Sequence, residues 1–189
     1  MALPQHLRYP TAMAYYYSPF RNTYDKDQSA RPGCTFCDPG VLSGGGVRRA
    51  DESVVENEHY VWIINSFPKF EGHTMVVPKR HVTALGEEEP DEIAAREEII
   101  VLASRTLQEL YPGAGVEVFL QTGPGSESSI EHLHWHVVPA QQDDHLRGFD
   151  KLGQFFTIEP DKEKVIVFPV PIKLAKEGLL AALAKVLTT

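Results

Sequence analysis

Three histidines alternate with apolar residues between Glu131 and Pro139, and this alternation constrains the fold more than any other feature of the chain. On a β-strand, side chains two positions apart point to the same face, so His132, His134 and His136 would share one face. The residues that alternate with them are apolar and would face the core: Leu133, Trp135 and Val137. A helix would distribute the three rings around its circumference. The segment therefore predicts a strand that presents three imidazoles, which bind metals and act as nucleophiles near neutral pH.

The bulk properties of the chain indicate one domain with extensions at both ends. Its 189 residues are 42% hydrophobic, which suffices for a core without disulfides. The formal net charge of −8 argues against binding to a nucleic acid polymer or to an anionic membrane. No apolar run is long enough to cross a bilayer, and the first residues lack the apolar core of a signal peptide, so a cytoplasmic location is expected. We divide the chain into an N-terminal arm (1–33), a catalytic domain (34–140) and a C-terminal extension packed on that domain (141–189).

Runs of β-branched and aromatic residues predict three further strands, over 60–65, 73–78 and 116–121. A fourth is expected near Val165–Phe168. Short connections between neighbouring strands favour antiparallel pairing, so we expect an antiparallel sheet that includes the histidine strand.

Two helices are predicted to pack on this sheet, which makes the fold α+β. The main helix begins in the acidic run Glu87–Glu92 and ends at Pro112–Gly113, because acidic residues suit the first turn and a Pro-Gly pair ends a helix. We interpret the acidic run as the solvated start of this helix and nothing more. Apolar residues recur along it at helical spacing: Ile93, Ile100, Ala103, Leu107 and Leu110. A C-terminal helix is expected over 172–187, with a buried stripe at Leu179, Leu183 and Val186.

The histidine strand is suited to chemistry at phosphorus. Neutral imidazole attacks phosphorus well and leaves readily once protonated, so it can divide a displacement into two steps. The Gly- and Ser-rich loop Gln121–Ser129 comes just before the strand and offers backbone N–H groups and hydroxyls to phosphate oxygens. The alternative is an iron, copper or zinc centre of an oxygenase or isomerase. Such a centre usually includes a carboxylate close by, whereas the nearest acids after His136 are Asp143 and Asp144 in a loop.

At these residues the sequence resembles the histidine triad (HIT) superfamily of nucleotide hydrolases and transferases. The family signature alternates three histidines with apolar residues, and His132–Val138 matches it at every position. Upstream, Asn65, the segment Gly72–His81 and the Gln121-x-Gly-Pro turn follow in family order and spacing. The resemblance covers roughly residues 34 to 139.

The resemblance implies a role for each matching residue. His134 would be the nucleophile that takes up a nucleoside monophosphate, and His136 would donate to phosphate oxygens or to the leaving group. His132 completes the catalytic set, and His73 matches a histidine that lies near the triad. Five matches would bind substrate, at the ribose, near the triad and around the phosphates: Asn65, His73, Gln121, Ser128 and Ser129. The family sheet has about five antiparallel strands per protomer, and the protein is usually a homodimer.

Within the family, the chain is similar to the branch that acts on dinucleoside polyphosphates. Its Tyr17–Tyr24 segment resembles the arm of diadenosine polyphosphate phosphorylases, which implies transfer of AMP to water or phosphate. Galactose-phosphate uridylyltransferases are an alternative, although they commonly have Gln in place of the third histidine. Ser128 stands where the family often has Gln, Glu127 is an unexpected acid in that loop, and Ala140 replaces a common Arg. These departures keep open a second alternative, a nucleotide-binding sensor with little catalysis.

Cys34 and Cys37 form a Cys-x-x-Cys pair, whose spacing favours a metal site over a structural disulfide in a reducing compartment. The resemblance implies that His81 and His132 complete a structural zinc site, as in some histidine triad proteins. Zinc with four Cys and His ligands prefers tetrahedral geometry. Such a site would fix the strand that carries His134. The alternative is a reduced cysteine pair without metal.

Overall fold

A five-stranded antiparallel sheet is the framework of the protein. The computed structural model describes residues 15–16, 33–37, 53–65, 68, 71–123, 126, 128, 130–141, 165–166 and 176–188. The sheet contains β2 (Ser53–Glu56), β3 (Tyr60–Ile64), β4 (Thr74–Pro78), β5 (Gly115–Leu120) and β6 (Trp135–Ala140). Its strand order is β2-β3-β4-β6-β5. Two short strands, β1 (Tyr15–Tyr16) and β7 (Val165–Ile166), pair in parallel with each other.

Two helices cover one face of this sheet, so the predicted α+β class is confirmed. They are α1 (Pro90–Leu110) and α2 (Lys176–Val186). Side chains from α1, α2 and the sheet form one buried cluster: Tyr60, Trp62, Ile64, Val76, Ile99, Ala103, Leu107, Trp135, Val137 and Leu179. Each fully buried apolar side chain of this kind contributes about 1.5–3 kcal/mol to folding. The opposite face carries a smaller apolar cluster: Phe36, Val61, Ile63, Met75 and Val77.

The histidine strand is shorter than predicted. β6 begins at Trp135, so His132 and His134 lie just before the strand. The reason is that this part of the chain pairs with a loop instead of a neighbouring strand: the Leu133 N–H donates to the Val82 carbonyl at 2.7 Å. Trp135 and Val137 join the helix-covered core as expected.

The interpretation of the acidic run as merely solvated was wrong. Glu88 and Glu92 are only 8% and 7% exposed. Both carboxylates are buried because arginines pair with them, and Glu92 also accepts the Glu89 N–H at the start of α1, at 2.8 Å. Glu92 takes an inward position on the first turn of α1, and Glu88 lies just before the helix; Ile93 is 39% exposed, and Ile99 is buried instead.

The C-terminal helix packs on α1. Leu179 and Leu183 are buried as predicted, whereas Val186 is half-buried and Ala182 joins the stripe. Lys185 pairs with Glu109 of α1 at 2.7 Å. Among the described residues, neither helix is long and apolar enough to span a membrane.

Gly72 occupies a place that no other residue fits. Its φ is +72°, and a Cβ there would lie 2.5 Å from Cγ and 2.8 Å from Cδ of Pro139 on β6. We expect Gly72→Ala to lower the free energy of unfolding by about 2–4 kcal/mol, from backbone strain plus overpacking.

Gly113→Ala is the matched control for this substitution. Gly113 has a similar φ of +83° but no atom within 4 Å of the added methyl. The free energy of unfolding of Gly113→Ala should fall by about 1–2 kcal/mol, from backbone strain alone. Urea unfolding of both variants measures the difference, and equal losses would show that the contact with Pro139 has no effect.

Candidate active site and metal centre

The structure brings the three predicted imidazoles into one buried cluster. His132, His134 and His136 are all less than one tenth exposed. The ring centroids of His134 and His136 lie 4.8 Å apart with their planes nearly perpendicular. Phe36 contacts the rings of both His132 and His134 edge-on, at 5.7 and 5.1 Å between centroids. The cluster therefore lies on the sheet face opposite the helices, beside the smaller apolar cluster.

His134 is held in one tautomer. Its Nδ1 lies 2.8 Å from the carbonyl oxygen of His132, and since a carbonyl can only accept, Nδ1 carries the hydrogen. The other nitrogen, Nε2, then carries the lone pair. Burial lowers the pKa of His134, despite the opposing effect of this hydrogen bond. The ring is thus neutral near pH 7, which is the form in which imidazole is nucleophilic.

A chain of polar side chains runs from His136 across the sheet. Nε2 of His73 lies 2.8 Å from Nδ1 of His136, so one ring donates a hydrogen to the other. The Asn65 amide nitrogen lies 3.2 Å from the same Nε2 of His73. Asn65 and His73 also join through their backbones, where the Asn65 N–H donates to the His73 carbonyl at 3.1 Å. The structure therefore places two of the predicted substrate-binding residues directly beside the triad.

The predicted phosphate loop is only partly described. The Gln121 side chain donates to the Ser126 carbonyl at 2.8 Å, and the Ser128 hydroxyl donates to the Ile130 carbonyl at 2.7 Å. The described contacts of these two side chains thus stay within the loop. Ser129 lies outside the described residues.

Cys34, Cys37, His81 and His132 converge at the base of the triad. One ligand atom from each lies within 4.8 Å of the other three. Sγ of Cys37 lies 3.1 Å from Nδ1 of His81, and Sγ of Cys34 lies 3.4 Å from Nδ1 of His132. Sulfur and nitrogen ligands about 2.3 and 2.0 Å from a tetrahedral ion stand about 3.5 Å apart. The cluster therefore has the composition and spacing of a metal site.

The protonation state of His132 also suits a cation. Nε2 of His132 donates to the Pro78 carbonyl at 3.0 Å, which leaves the Nδ1 lone pair facing the thiols. Burial lowers the pKa of His132 to about 4, so the ring is neutral. Burial, and next the hydrogen bond and charge of the neighbouring Cys34, raise the pKa of Cys37 to about 11, so this thiol keeps its proton when no cation is bound. A bound metal ion would favour the thiolate instead.

Three separate segments supply the ligands. Cys37 ends a 3-10 turn, Thr35–Cys37, and Cys34 directly precedes it; the Cys37 N–H donates to the Cys34 carbonyl at 3.1 Å. His81 follows the end of β4, and His132 precedes β6. Arg80, next to His81, binds Glu92 of α1 through two hydrogen bonds of 2.8 and 2.5 Å. The ligand segment after β4 is thus attached to the helix.

Sequence reasoning missed Phe36, Arg80 and Glu92 as supports of the site. Phe36 lies between the two cysteines in the sequence. An apolar residue at this position was a signal that the turn packs against the rest of the predicted metal site. Glu92 stands three residues after the helix cap Glu89, which is the spacing of a capping box. This spacing was a signal that the Glu92 side chain has a structural role at the start of the helix. Its partner Arg80 could not be identified from the sequence, because the contact joins two elements.

Comparison with known proteins adds to this geometry. A sequence profile of the HIT domain matches residues 48–143, just over half of the chain. An uncharacterised 16.1 kDa HIT-like protein of Mycoplasma pneumoniae is 29% identical over 114 residues, which cover 60% of this chain and 76% of that protein. The bis(5'-adenosyl)-triphosphatase of Dictyostelium discoideum is 26% identical over 102 residues, covering 53% of this chain and 66% of that protein. A zinc-bound histidine triad family protein from Mycobacterium smegmatis has a similar crystal structure, with a TM-score of 0.59, 26% identity, and coverage of 82% of this chain and 96% of that one.

The Arg80–Glu92 pair predicts a pH-dependent stability. Hydrogen bonds from Arg80 are the main cause that lowers the pKa of Glu92 to about 2. A lowered carboxyl pKa stabilises the fold above the ordinary value near 4.5, and this contribution disappears as the pH falls toward 2. Because Arg80 is half-exposed and screened by water, we expect Glu92→Gln to cost about 1 kcal/mol at pH 7.

The deficit of Glu92→Gln relative to the wild type should shrink between pH 4.5 and pH 3, as measured by urea unfolding. Glu98→Gln, an exposed substitution on the same helix, is the control and should change stability by less than about 0.5 kcal/mol. A deficit that is the same at every pH would contradict the assignment.

Proposed function

The chain belongs to the HIT domain family, and from this premise we propose that it is a nucleotide hydrolase or nucleotidyltransferase in which His134 attacks the α-phosphate of the substrate. The observation that carries the proposal is the state of the His134 ring. It is neutral, its Nδ1–H is held by the His132 carbonyl, and its Nε2 keeps the lone pair that a nucleophile needs.

The proposed reaction has two displacements. In the first, Nε2 of His134 forms a bond to the α-phosphorus, the bond to the leaving oxygen breaks, and His136 donates a proton to that oxygen. In the second, water or phosphate attacks the same phosphorus and gives its proton to His136, and the P–N bond breaks, which returns the electron pair to His134. The contact between His73 and His136 supports the proton transfer, because the two rings can exchange a proton.

The resemblance assigns the remaining residues to substrate binding. Asn65 is proposed to contact the ribose, and the loop side chains Gln121, Ser128 and Ser129 are proposed to contact the phosphates. For the last three to do so, Gln121 and Ser128 have to exchange their present contacts within the loop for phosphate oxygens.

A dinucleoside polyphosphate is the proposed substrate, with AMP as the transferred group. The similarity to the bis(5'-adenosyl)-triphosphatase of Dictyostelium discoideum supports this choice. Uridylyl transfer of the galactose-phosphate type is a weaker alternative, because His136 stands at the third position of the triad. A homodimer and a cytoplasmic location stay predictions.

One observation favours a second candidate, a nucleotide-binding sensor with little catalysis. The Ser128 hydroxyl already donates its hydrogen to the Ile130 carbonyl, at a position where the family often has a longer amide. A pocket with one donor fewer for phosphate would still bind nucleotide, but it would stabilise the transition state less.

We further propose that Cys34, Cys37, His81 and His132 hold a structural zinc ion. The Cys2His2 composition and the zinc-bound relative from Mycobacterium smegmatis support the choice of metal. When bound, zinc holds together three segments of the chain. With its ring fixed, His132 also keeps its carbonyl in place for the Nδ1–H of His134.

Loss of the nucleophile should abolish turnover without abolishing binding. We expect His134→Ala to reduce hydrolysis or phosphorolysis of diadenosine tetraphosphate by about 10³-fold or more, while AMP still binds. Product analysis with and without phosphate measures turnover, and mass spectrometry of the wild type after rapid quenching tests for a nucleotidyl adduct.

His59→Ala is the control for removal of a histidine, because His59 lies in the β2–β3 connection and contacts Asp91. It should retain turnover. Unchanged turnover in His134→Ala would end the nucleophile assignment, and tight binding without products in the wild type would favour the sensor.

Removal of one thiol should release the metal. We expect the wild type to purify with about one zinc per chain, and Cys37→Ser with far less, because three ligands hold zinc weakly. Elemental analysis of both proteins, with His59→Ala as a control that keeps the metal, measures this. A wild type that takes up no added zinc would contradict the proposal.

A further inference from the structure

Four side chains form a closed set of contacts on the helix-covered face of the sheet, opposite the histidine cluster. Arg96 of α1 donates two hydrogen bonds to the carboxylate of Glu88, at 2.8 and 2.7 Å. Tyr60 of β3 donates its hydroxyl hydrogen to the same carboxylate. The Arg96 guanidinium lies 4.7 Å from the ring centroid of Trp135, and the Tyr60 ring meets that indole edge-on at 6.0 Å. Each member therefore contacts two others.

The buried ion pair in this set of contacts adds little net stability to the fold. The side chains of Glu88 and Arg96 are only 2% and 14% exposed, so both charges have lost most of their hydration. The mutual attraction of a buried ion pair roughly offsets that loss, and apolar residues of similar size are often as stable or more stable. Unlike an apolar contact, the pair fixes the orientation of both side chains, because the planar guanidinium donates two parallel hydrogen bonds to the carboxylate.

The fixed orientation of this pair affects the histidine cluster through Trp135. Trp135 stands between His134 and His136 in the sequence and is the first residue of β6. It is also where ladder pairing begins, opposite Val76 on β4 and Leu120 on β5. His134 lies just outside the ladder, so the orientation of its backbone depends on how Trp135 is held. Neighbouring side chains leave the same strand toward opposite faces, so a shift of the backbone at Trp135 also moves the backbone of His134 and His136.

We propose that Arg96 and Glu88 are positioning residues: by clamping the Trp135 indole from behind, they hold His134 and His136 in the orientation needed for attack at phosphorus. The inference rests on the proposed nucleophilic role of His134. Burial, and next the Glu88 carboxylate, raise the pKa of Tyr60, so its hydroxyl stays protonated and continues to donate to Glu88. The clamp is thus maintained across the pH range in which imidazoles titrate.

The first test replaces the charged pair with apolar residues of similar size, in Glu88→Leu/Arg96→Met. We expect its melting temperature to fall by less than about 10 °C, since the ion pair adds little net stability and the main loss is the acceptor of the buried Tyr60 hydroxyl. We expect kcat for diadenosine tetraphosphate to fall about tenfold or more with KM within about twofold, because small misplacements of a nucleophile cost rate. Arg105→Met, on the exposed side of the same helix, is the matched control and should leave all three quantities unchanged.

A second variant covers the case in which the double variant does not fold. Arg96→Lys keeps a positive charge beside Glu88 but loses the planar fork and the stacking on Trp135. It should fold and show a smaller fall in kcat, again with little change in KM. A kcat equal to that of the wild type in Arg96→Lys and in the folded double variant would overturn the proposal. So would a loss of rate that merely follows the loss of folded protein.

An NMR measurement separates this inference from the proposed reaction. The imidazole ring signals of His134 and His136, assigned by comparison with single histidine variants, should shift in Glu88→Leu/Arg96→Met and not in Arg105→Met. If the wild type turns over no nucleotide, the proposed function fails, and the ring signals alone then decide whether the clamp orients the histidines. Unshifted signals in a folded double variant would overturn the positioning role.

Discussion

His132 connects the two halves of the site, and most of the local structure depends on its contacts. Nε2 of its ring donates to the Pro78 carbonyl, Nδ1 faces the two cysteine thiols, and its backbone carbonyl accepts the Nδ1–H of His134. A single residue thus joins the end of β4, the Cys-x-x-Cys turn and the neighbouring histidine. Displacement of this residue would disturb the cluster of cysteines and histidines and the tautomer of His134 together.

One face of the sheet packs against the helices and the other carries the histidine cluster, and β6 contributes side chains to both. Trp135 and Val137 point into the helix-covered core, while His136 points to the other face and contacts His73. Burial on that second face is what keeps the pKa of His134 low and its ring neutral. The core thereby supports the histidine cluster indirectly, because it holds the backbone from which the imidazoles project.

Charge is organised locally in this acidic chain. Glu88 and Glu92 lie at the start of α1, and each is paired with an arginine, Arg96 from the same helix and Arg80 from the segment after β4. The first pair contacts Trp135, and the second holds the residue next to His81. Both pairs therefore connect the helix to the segments that carry site residues. The net charge of −8 says nothing about this arrangement, since it averages over pairs that cancel.

The sequence by itself predicted the fold class and singled out the histidines and cysteines that the structure brings together. Alternation of His132, His134 and His136 with apolar neighbours required an extended segment, and the spacing of Cys34 and Cys37 required a tight turn able to present two thiols. These are local signals, because strand periodicity and short-range turns act between residues close in the chain. The α+β architecture followed from the same kind of signal.

Only the tertiary structure decided which contacts hold those residues in place. The strand starts at Trp135 and not at His132, because Leu133 bonds to the loop at Val82. Glu88 and Glu92 of the acidic run were expected in water but are buried, because Arg80 and Arg96 pair with them from positions that periodicity does not predict. Phe36 meets the triad from a turn almost a hundred residues earlier. Such contacts depend on how elements pack, and packing joins residues whose separation in the chain carries no information about their distance in space.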